Sequence, residues 1–319
     1  MKKILIIRSD RFGEFLLSLP AIKLVKDNFP QSSVSVMAKD SNIELVRGID
    51  FIDKFIVYDK NFSKNLKKEN FDCVLILNPK KEFHLAAFLA GIPLRVGYDR
   101  KWGWCLNRKI KDLKHLEQKH EVEYNIELVN SIVSRGAKFC APTYIPDVDL
   151  PFDSKESLDF LKDKIDLSKQ YIVMHPFTSN PSKKVDRQFW HNLSGKCRGM
   201  INHAPTPLVL LGSDEEKEDA EGLAREIGAI NLAGNLTLRN LATFLKYNCR
   251  SFVGLDSGPL HLASLLKIPV VGLYNQSNPR RWGPYHADSL VIECRDAKSC
   301  VLTQHFIDQV DKIVDFIHG

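Results

Sequence analysis

The chain has no run long enough to cross a bilayer. Its longest nearly apolar stretch, Phe83 to Leu94, is short and is interrupted by His84 and by Gly91-Ile92-Pro93. It opens Met1-Lys2-Lys3-Ile4-Leu5-Ile6-Ile7-Arg8, four apolar residues before an arginine. That is no secretory signal, so a cytoplasmic location is the expectation. The seven cysteines are odd in number and scattered, which fits a reducing compartment better than a disulfide framework. No Cys-x-x-Cys and no His-Glu-x-x-His occurs, and Cys294 with Cys300 is the nearest pair that a metal site could use. Gly-x-Gly-x-x-Gly, Gly-x-x-x-x-Gly-Lys-Ser/Thr and Gly-x-Ser-x-Gly are all missing. Nicotinamide dehydrogenases, P-loop NTPases and serine hydrolases lose weight accordingly. No Asp-x-Asp stands in a cleft-like loop, which argues against a metal-held sugar diphosphate; Asp147-Val148-Asp149 lies in a linker.

What is present is an ordinary globular composition, 44% hydrophobic and 26% charged, over 319 residues. Such a length suggests two domains. A formal charge of +6 is too modest to argue for nucleic acid and suits phosphates or an anionic membrane surface equally.

Short β-rich runs alternate with helical periods. Ile4–Ile7 reads as a buried strand, followed by Phe15, Leu16, Leu19, Ile22 and Val25 at helical spacing. Further strands are expected at 34–37, 55–58, 73–77 and 94–97, then a basic, aromatic stretch from about 100 to 120 and a helix from about Glu121 to Arg135. Residues 141–156 hold three prolines and no period, as a linker would. The alternation restarts with strands at 171–174, 207–211, 251–254 and 270–273. Parallel βαβ units in open sheets follow, with ligands at the carboxyl ends of the strands.

Three turns in the second half carry candidate chemistry. Gly254-Leu255-Asp256-Ser257-Gly258-Pro259-Leu260-His261 ends a strand and starts a helix near Pro259, with Ser257 placed to cap it. Amides around Gly258 would make an anion site aided by the helix dipole; an ordinary strand–turn–helix corner is the plainer alternative. His175 to Lys184, with Thr178 and two lysines, follows the strand at 171–174 and offers donors and charge to a diphosphate, or is a solvated basic loop. After the next strand, Gly212-Ser213-Asp214-Glu215-Glu216 offers a carboxylate for ribose hydroxyls, though acidic helix starts are also favoured structurally. In the first half, Arg8-Ser9-Asp10-Arg11-Phe12-Gly13-Glu14 joins the first strand to the first helix. Gly13 permits an unusual backbone angle, and Glu14 in the first helical turn would stay ionised as a general base must, or is a plain helix-start glutamate; Asp10 is a possible substitute base or a solvated loop residue.

Together these segments resemble the bacterial ADP-heptose:lipopolysaccharide heptosyltransferase family (glycosyltransferase family 9). The likeness runs from Ile4–Ala21 through Leu232–Leu241. It is most specific in Asp256-Ser257-Gly258-Pro259-Leu260-His261-Leu262-Ala263, Ile268–Tyr274 and Trp282-Gly283-Pro284-Tyr285. It implies an α/β, GT-B type fold: two Rossmann-like doubly wound parallel-sheet domains facing across a cleft. The expected domains are 1–155 for the acceptor and 156–319 for the nucleotide sugar, the last helix being free to pack back on the first. The resemblance further implies inversion at the sugar without metal or other cofactor. Ser257 and Gly258 would meet the diphosphate together with Asp256, Thr178, Lys184 and His261, and Lys183 would stabilise the leaving group, Trp190 standing seven residues later as the family pattern requires. Glu215 would meet the ribose, and Glu14 would act as base. The acceptor, a lipid-linked core oligosaccharide, would meet Arg8, Ser9, Asp10, Arg11, Gly13, Lys80 and Lys81, with Arg95 and the Lys101–Lys119 stretch as further basic candidates. Peripheral contact with the cytoplasmic face of the inner membrane would follow, and nucleic acid is not expected.

Three departures stand out. The family aspartate is Glu14, one methylene longer, a displacement of about an ångström that can cost about 100-fold in rate. The usual Trp-Pro after the lysine is Val185-Asp186, and Asn275-Gln276-Ser277 replaces Gly-Pro/Ala-Thr. His261, one turn into its helix, reads as a packing or orienting residue rather than an acid. A nucleotide-sugar epimerase on the same frame, and a family member with another donor sugar or without catalysis, are the competing readings.

Overall fold

A computed structural model describes residues 1–133, 144–151, 155–199, 206–286, 288–293 and 299–318, the side chains of Asn65 and of 299–303 excepted. Cys140, Cys294, the Cys300 side chain, Arg135 and parts of the expected linker therefore lie outside the described residues. The chain divides into two units, Met1–Pro151 and Phe152–Gly319.

In the first unit six parallel strands, β1 (Lys3–Ile7), β2 (Ser33–Ala38), β3 (Lys54–Val57), β4 (Cys73–Ile76), β5 (Leu94–Asp99) and β6 (Arg108–Lys111), lie in the order β3-β2-β1-β4-β5-β6. Ile4, Leu5, Ile6 and Ile7 are all buried, as a central parallel strand covered by helices on both faces requires. Leu5, Ile7, Val74 and Ile76 pack with Phe62, Leu66 and Phe83 from the helices Phe62–Glu69 and Lys81–Leu89.

The second unit repeats the plan with β7 (Tyr171–His175), β8 (Leu208–Leu210), β9 (Ile230–Asn231), β10 (Cys249–Leu255), β11 (Val270–Tyr274) and β12 (Ser289–Glu293), ordered β12-β11-β10-β7-β8-β9. Its core sets Ile172, Met174, Val253 and Leu273 against Phe189, Trp190 and Leu193 of the helix Arg187–Arg198. The final helix, Val310–His318, buries Val310, Ile313, Val314 and Ile317 in this same core.

Three strands go beyond the sequence expectation, and all sit at or near sheet edges. β6 reads Arg-Lys-Ile-Lys inside the stretch expected as basic surface, β9 is two residues long, and β12 buries Ile292 alone. An edge strand needs little buried apolar surface, so its hydrophobic signal is weak.

Each sheet reverses direction beside its first strand. In the first unit the chain leaves β1 toward β2 and β3, then returns to the far side of β1 as β4. In the second, β8 and β9 lie on one side of β7 and β10 on the other. Loops leaving the two strands at such a switch point diverge and open a crevice at the carboxyl edge.

Candidate active site

In the second unit the switch-point loops are residues 176–183 after β7 and Asp256-Ser257 after β10. The Lys183 ammonium donates to Asp256 Oδ2 at 2.7 Å, while the other Asp256 oxygen lies 3.4 Å from His261 Nε2. Ser257 is the N-cap of the helix Gly258–Leu265, but its hydroxyl makes no cap bond. It sits instead 3.2 Å from His175 Nδ1. Capping by Ser257, expected from the sequence, is thus replaced by a contact with the neighbouring strand, and among the described residues no side chain is recorded as accepting from the first turn of the helix. Orphan N–H groups of this kind are what an anion binds.

Electrostatics follow from burial. Desolvation works against an ionised Asp256, yet the hydrogen bond and charge of His261 and the charge of Lys183 outweigh it and hold the carboxyl well below the usual carboxylate range. Burial pushes His175 down to about 4, against a weaker opposing pull from Glu216, so its imidazole is neutral at physiological pH. Gly254 pairs with His175 across the ladder, and a Cβ there would fall 3.2 Å from the His175 Cβ and 2.8 Å from Phe252. The missing side chain is what leaves room for His175 and the Phe252 ring on this strand.

The Lys183 turn is pinned from below. Asn275, buried at the end of β11, donates through Nδ2 to the carbonyls of Lys183 (3.0 Å) and Ser182 (3.4 Å). Asn180 Oδ1 accepts from Ser182 N, closing the short turn Pro181–Lys183. Val185 enters the core, and Asp186 caps the next helix by accepting from Gln188 N. Both departures from the family sequence thus have structural work: Val185-Asp186 fills core and caps, and Asn275 holds the lysine turn.

The remaining second-unit residues are less engaged. Thr178 Oγ1 accepts from Asn180 N within the loop. Lys184 is exposed and makes no ion pair among the described residues. Glu215 is exposed in the turn Asp214–Glu216 after β8; its neighbour Glu216 accepts from Ser213 N in a capping box. No hydrogen bond joins Glu215 to the Lys183–Asp256 group, although both lie on one sheet edge.

In the first unit the loops after β1 and β4 flank the switch point. Arg8 and Ser9 are buried, which turns them from surface candidates into supports. The Arg8 guanidinium reaches Asp10 (3.0 Å), Glu121 (3.4 Å) and the Leu77 carbonyl (3.2 Å), and Lys114 donates to the same Glu121 at 2.6 Å. Asn78 Nδ2 donates to Ser9 Oγ at 3.4 Å, linking the two loops. Gly13 lies inside the helical turn Phe12–Leu16 without a positive φ, so the unusual backbone angle expected there is not needed. Glu14 stands half-buried in that first turn, and Arg11 is exposed. Lys80 lies over the Tyr58 and Phe83 rings at 5.4 and 5.7 Å, Lys81 over Trp102 at 4.7 Å. Sequence reasoning did not single out His175 as a partner of Ser257, Asn275 as a turn anchor or Glu121 as the hub of the Arg8 network. The first two stood inside quoted segments; nothing in the sequence links Glu121 to Arg8.

Two six-stranded parallel sheets of this topology place the fold among GT-B glycosyltransferases, and comparison with known proteins agrees. Escherichia coli ADP-heptose heptosyltransferase II superposes with a TM-score of 0.79 at 20% identity, covering all of both chains. E. coli heptosyltransferase WaaC with ADP gives 0.76 at 20% identity over 99% of each chain. In sequence, the lipopolysaccharide core heptosyltransferase OpsX of Haemophilus influenzae is 23% identical over 89% of this chain and 82% of its own length. Residues 60–310 match glycosyltransferase family 9 (heptosyltransferase), and the chain belongs to that family. It is a glycosyltransferase.

Proposed function

We propose that the protein is an inverting, metal-independent heptosyltransferase that moves heptose from ADP-heptose to a lipid-linked lipopolysaccharide core acceptor. The observation that carries the reading is the charged cluster at the second unit's switch point: Lys183 and Asp256 beside a helix start whose serine is turned away from capping. A diphosphate would accept from the Ser257–Gly258 amides and from Lys183, with Asp256 and His261 setting the lysine's position and Thr178 and Lys184 bordering the loop. Glu215 would accept from the ribose hydroxyls.

In the reaction, Glu14 would take the proton from an acceptor hydroxyl as that oxygen attacks the anomeric carbon. The carbon–oxygen bond to the diphosphate breaks with inversion, and the leaving charge is met by Lys183 and the helix amides. The first unit would hold the acceptor, with Arg11, Lys80 and Lys81 toward its phosphates and Arg8, Ser9, Asp10 and Gly13 shaping the loop that carries Glu14. The solved relative with ADP and the named heptosyltransferases among the similar proteins support this choice of donor.

The test is transfer from ADP-heptose to heptose-deficient core acceptor in EDTA, with the anomeric configuration of the product read by NMR. Inverted product that disappears in Glu14→Gln is expected. Conversion of donor alone to an epimer, or equal transfer by Glu14→Gln, would overturn the reading.

A further inference from the structure

His175 closes β7 and is 7% exposed, so its imidazole is taken almost wholly out of water. The ring is set in place by β10. It lies near-parallel to Phe252, with 6.5 Å between ring centres and 27° between planes, and Gly254, its partner across the ladder, leaves the space it fills. A buried polar ring is costly unless hydrogen-bonded, and the partner here is the Ser257 hydroxyl, 3.2 Å from Nδ1. That contact diverts a serine from its usual task. Ser257 has the extended backbone of an N-cap, φ −158° and ψ 167°, yet makes no cap bond. In the same unit Asp186, Thr237 and Asn278 each accept from an N–H in the first turn of their own helices.

We propose that His175 is a positioning residue for the diphosphate of the nucleotide sugar: on the reading of this turn as the donor site, it holds the Ser257 side chain off its own helix. Two effects follow from the one contact. The first-turn amides, which a capping hydroxyl would otherwise engage, stay open to a phosphate. The hydroxyl itself becomes a further donor. Desolvation keeps the imidazole neutral, with a single N–H to place on one of its two nitrogens. When the Ser257 O–H donates to a phosphate oxygen, the serine oxygen accepts from Nδ1–H in turn. A leucine in place of His175 would fill much of the same space and let Ser257 turn back to cap, closing a donor that the anion needs.

Titration calorimetry of the full-length protein with ADP separates this role from plain packing. Ser257→Ala should weaken ADP binding about tenfold, the scale of one hydrogen bond to a charged group. His175→Leu should weaken it by a similar factor in the natural chain, but by less than about twofold once Ser257→Ala is present. A merely structural role would make the two losses multiply to about a hundredfold. His175→Asn, whose amide N–H falls where Nδ1–H lies, should bind ADP within about twofold of the unmodified protein. His175→Gln, whose amide reaches only the Nε2 position, should behave like His175→Leu. Circular dichroism melting checks folding, and the Asn and Gln pair carries the test if the leucine variant does not fold. Multiplying losses, full affinity in His175→Leu, or equal affinities of the Asn and Gln variants would overturn the proposal while leaving the donor site standing. If UDP or GDP binds in place of ADP, the adenine assignment fails, and the same series with that nucleotide judges His175. Absence of ADP, UDP and GDP binding by the unmodified protein would overturn the donor site and the role of His175 together.

Discussion

At the scale of single residues, Glu14, Lys183 and His175 call for different measurements. Removing the charge of Glu14 in Glu14→Gln should lower turnover by about 10²–10⁴-fold while leaving donor affinity unchanged, as general-base loss does. Lys183→Ala should cost about 10²–10³-fold in kcat, the scale of losing one preorganised donor at a developing anion, and should raise the donor KM as well. His175 binds its proton far more weakly in the folded chain than the ordinary 6.5, at about 4. Between those values the unfolded chain holds a proton the folded one lacks, so stability falls as pH drops through this window. The loss should reach about 2 kcal/mol by pH 5. Asp256 acts lower on the scale: its depressed carboxyl contributes fully at neutral pH and its share is lost only below the ordinary carboxylate range. Urea midpoints at pH 7 and pH 5 should therefore separate in the natural protein and move together in His175→Asn.

At the scale of elements, the strand–turn–helix around Asp256 was readable because Asp-Ser-Gly-Pro joins a buried strand to a proline-started helix. The direction of the Ser257 hydroxyl was not, because it depends on His175, 82 positions away in the chain and brought alongside by strand pairing. The same distance hides the role of Gly254. Gly254→Ala would press a methyl on His175 and Phe252, and an overpacked site of this kind costs about 1–3 kcal/mol. Differential scanning calorimetry should show the lowered melting temperature. Asn275 shows the reverse case: a visible departure from a family pattern whose meaning needed the fold. With its amide removed, Asn275→Ala leaves two carbonyls of the lysine turn without their donor. Donor KM should rise more than kcat falls, and Asn275→Gln should not restore it, because the longer chain cannot sit in the same buried place.

At the scale of the whole molecule, the alternation of strands and helices made two parallel sheets legible, while the polar edge strands β6, β9 and β12 carried too little buried surface to announce themselves. Among the described residues no helix is long and apolar enough to cross a membrane. The donor assignment is open to a direct measurement on the intact chain. A nucleotide sugar present at about 100 times its Kd should stabilise the fold by about 2.7 kcal/mol. In a thermal-shift series ADP-sugars should raise the melting temperature and UDP-, GDP- and CDP-sugars should not.

The pairing of Lys183 with Asp256 has one more consequence, for the end of the catalytic cycle. In the proposed site, a diphosphate would have to share an ammonium group that already has a carboxylate at hydrogen-bond distance. Some affinity would be surrendered on entry, and spent nucleotide would meet a built-in competitor that hastens its departure. Asp256→Asn should accordingly grip ADP more tightly and cycle more slowly, a trade visible as a lower ADP Kd alongside a longer residence time.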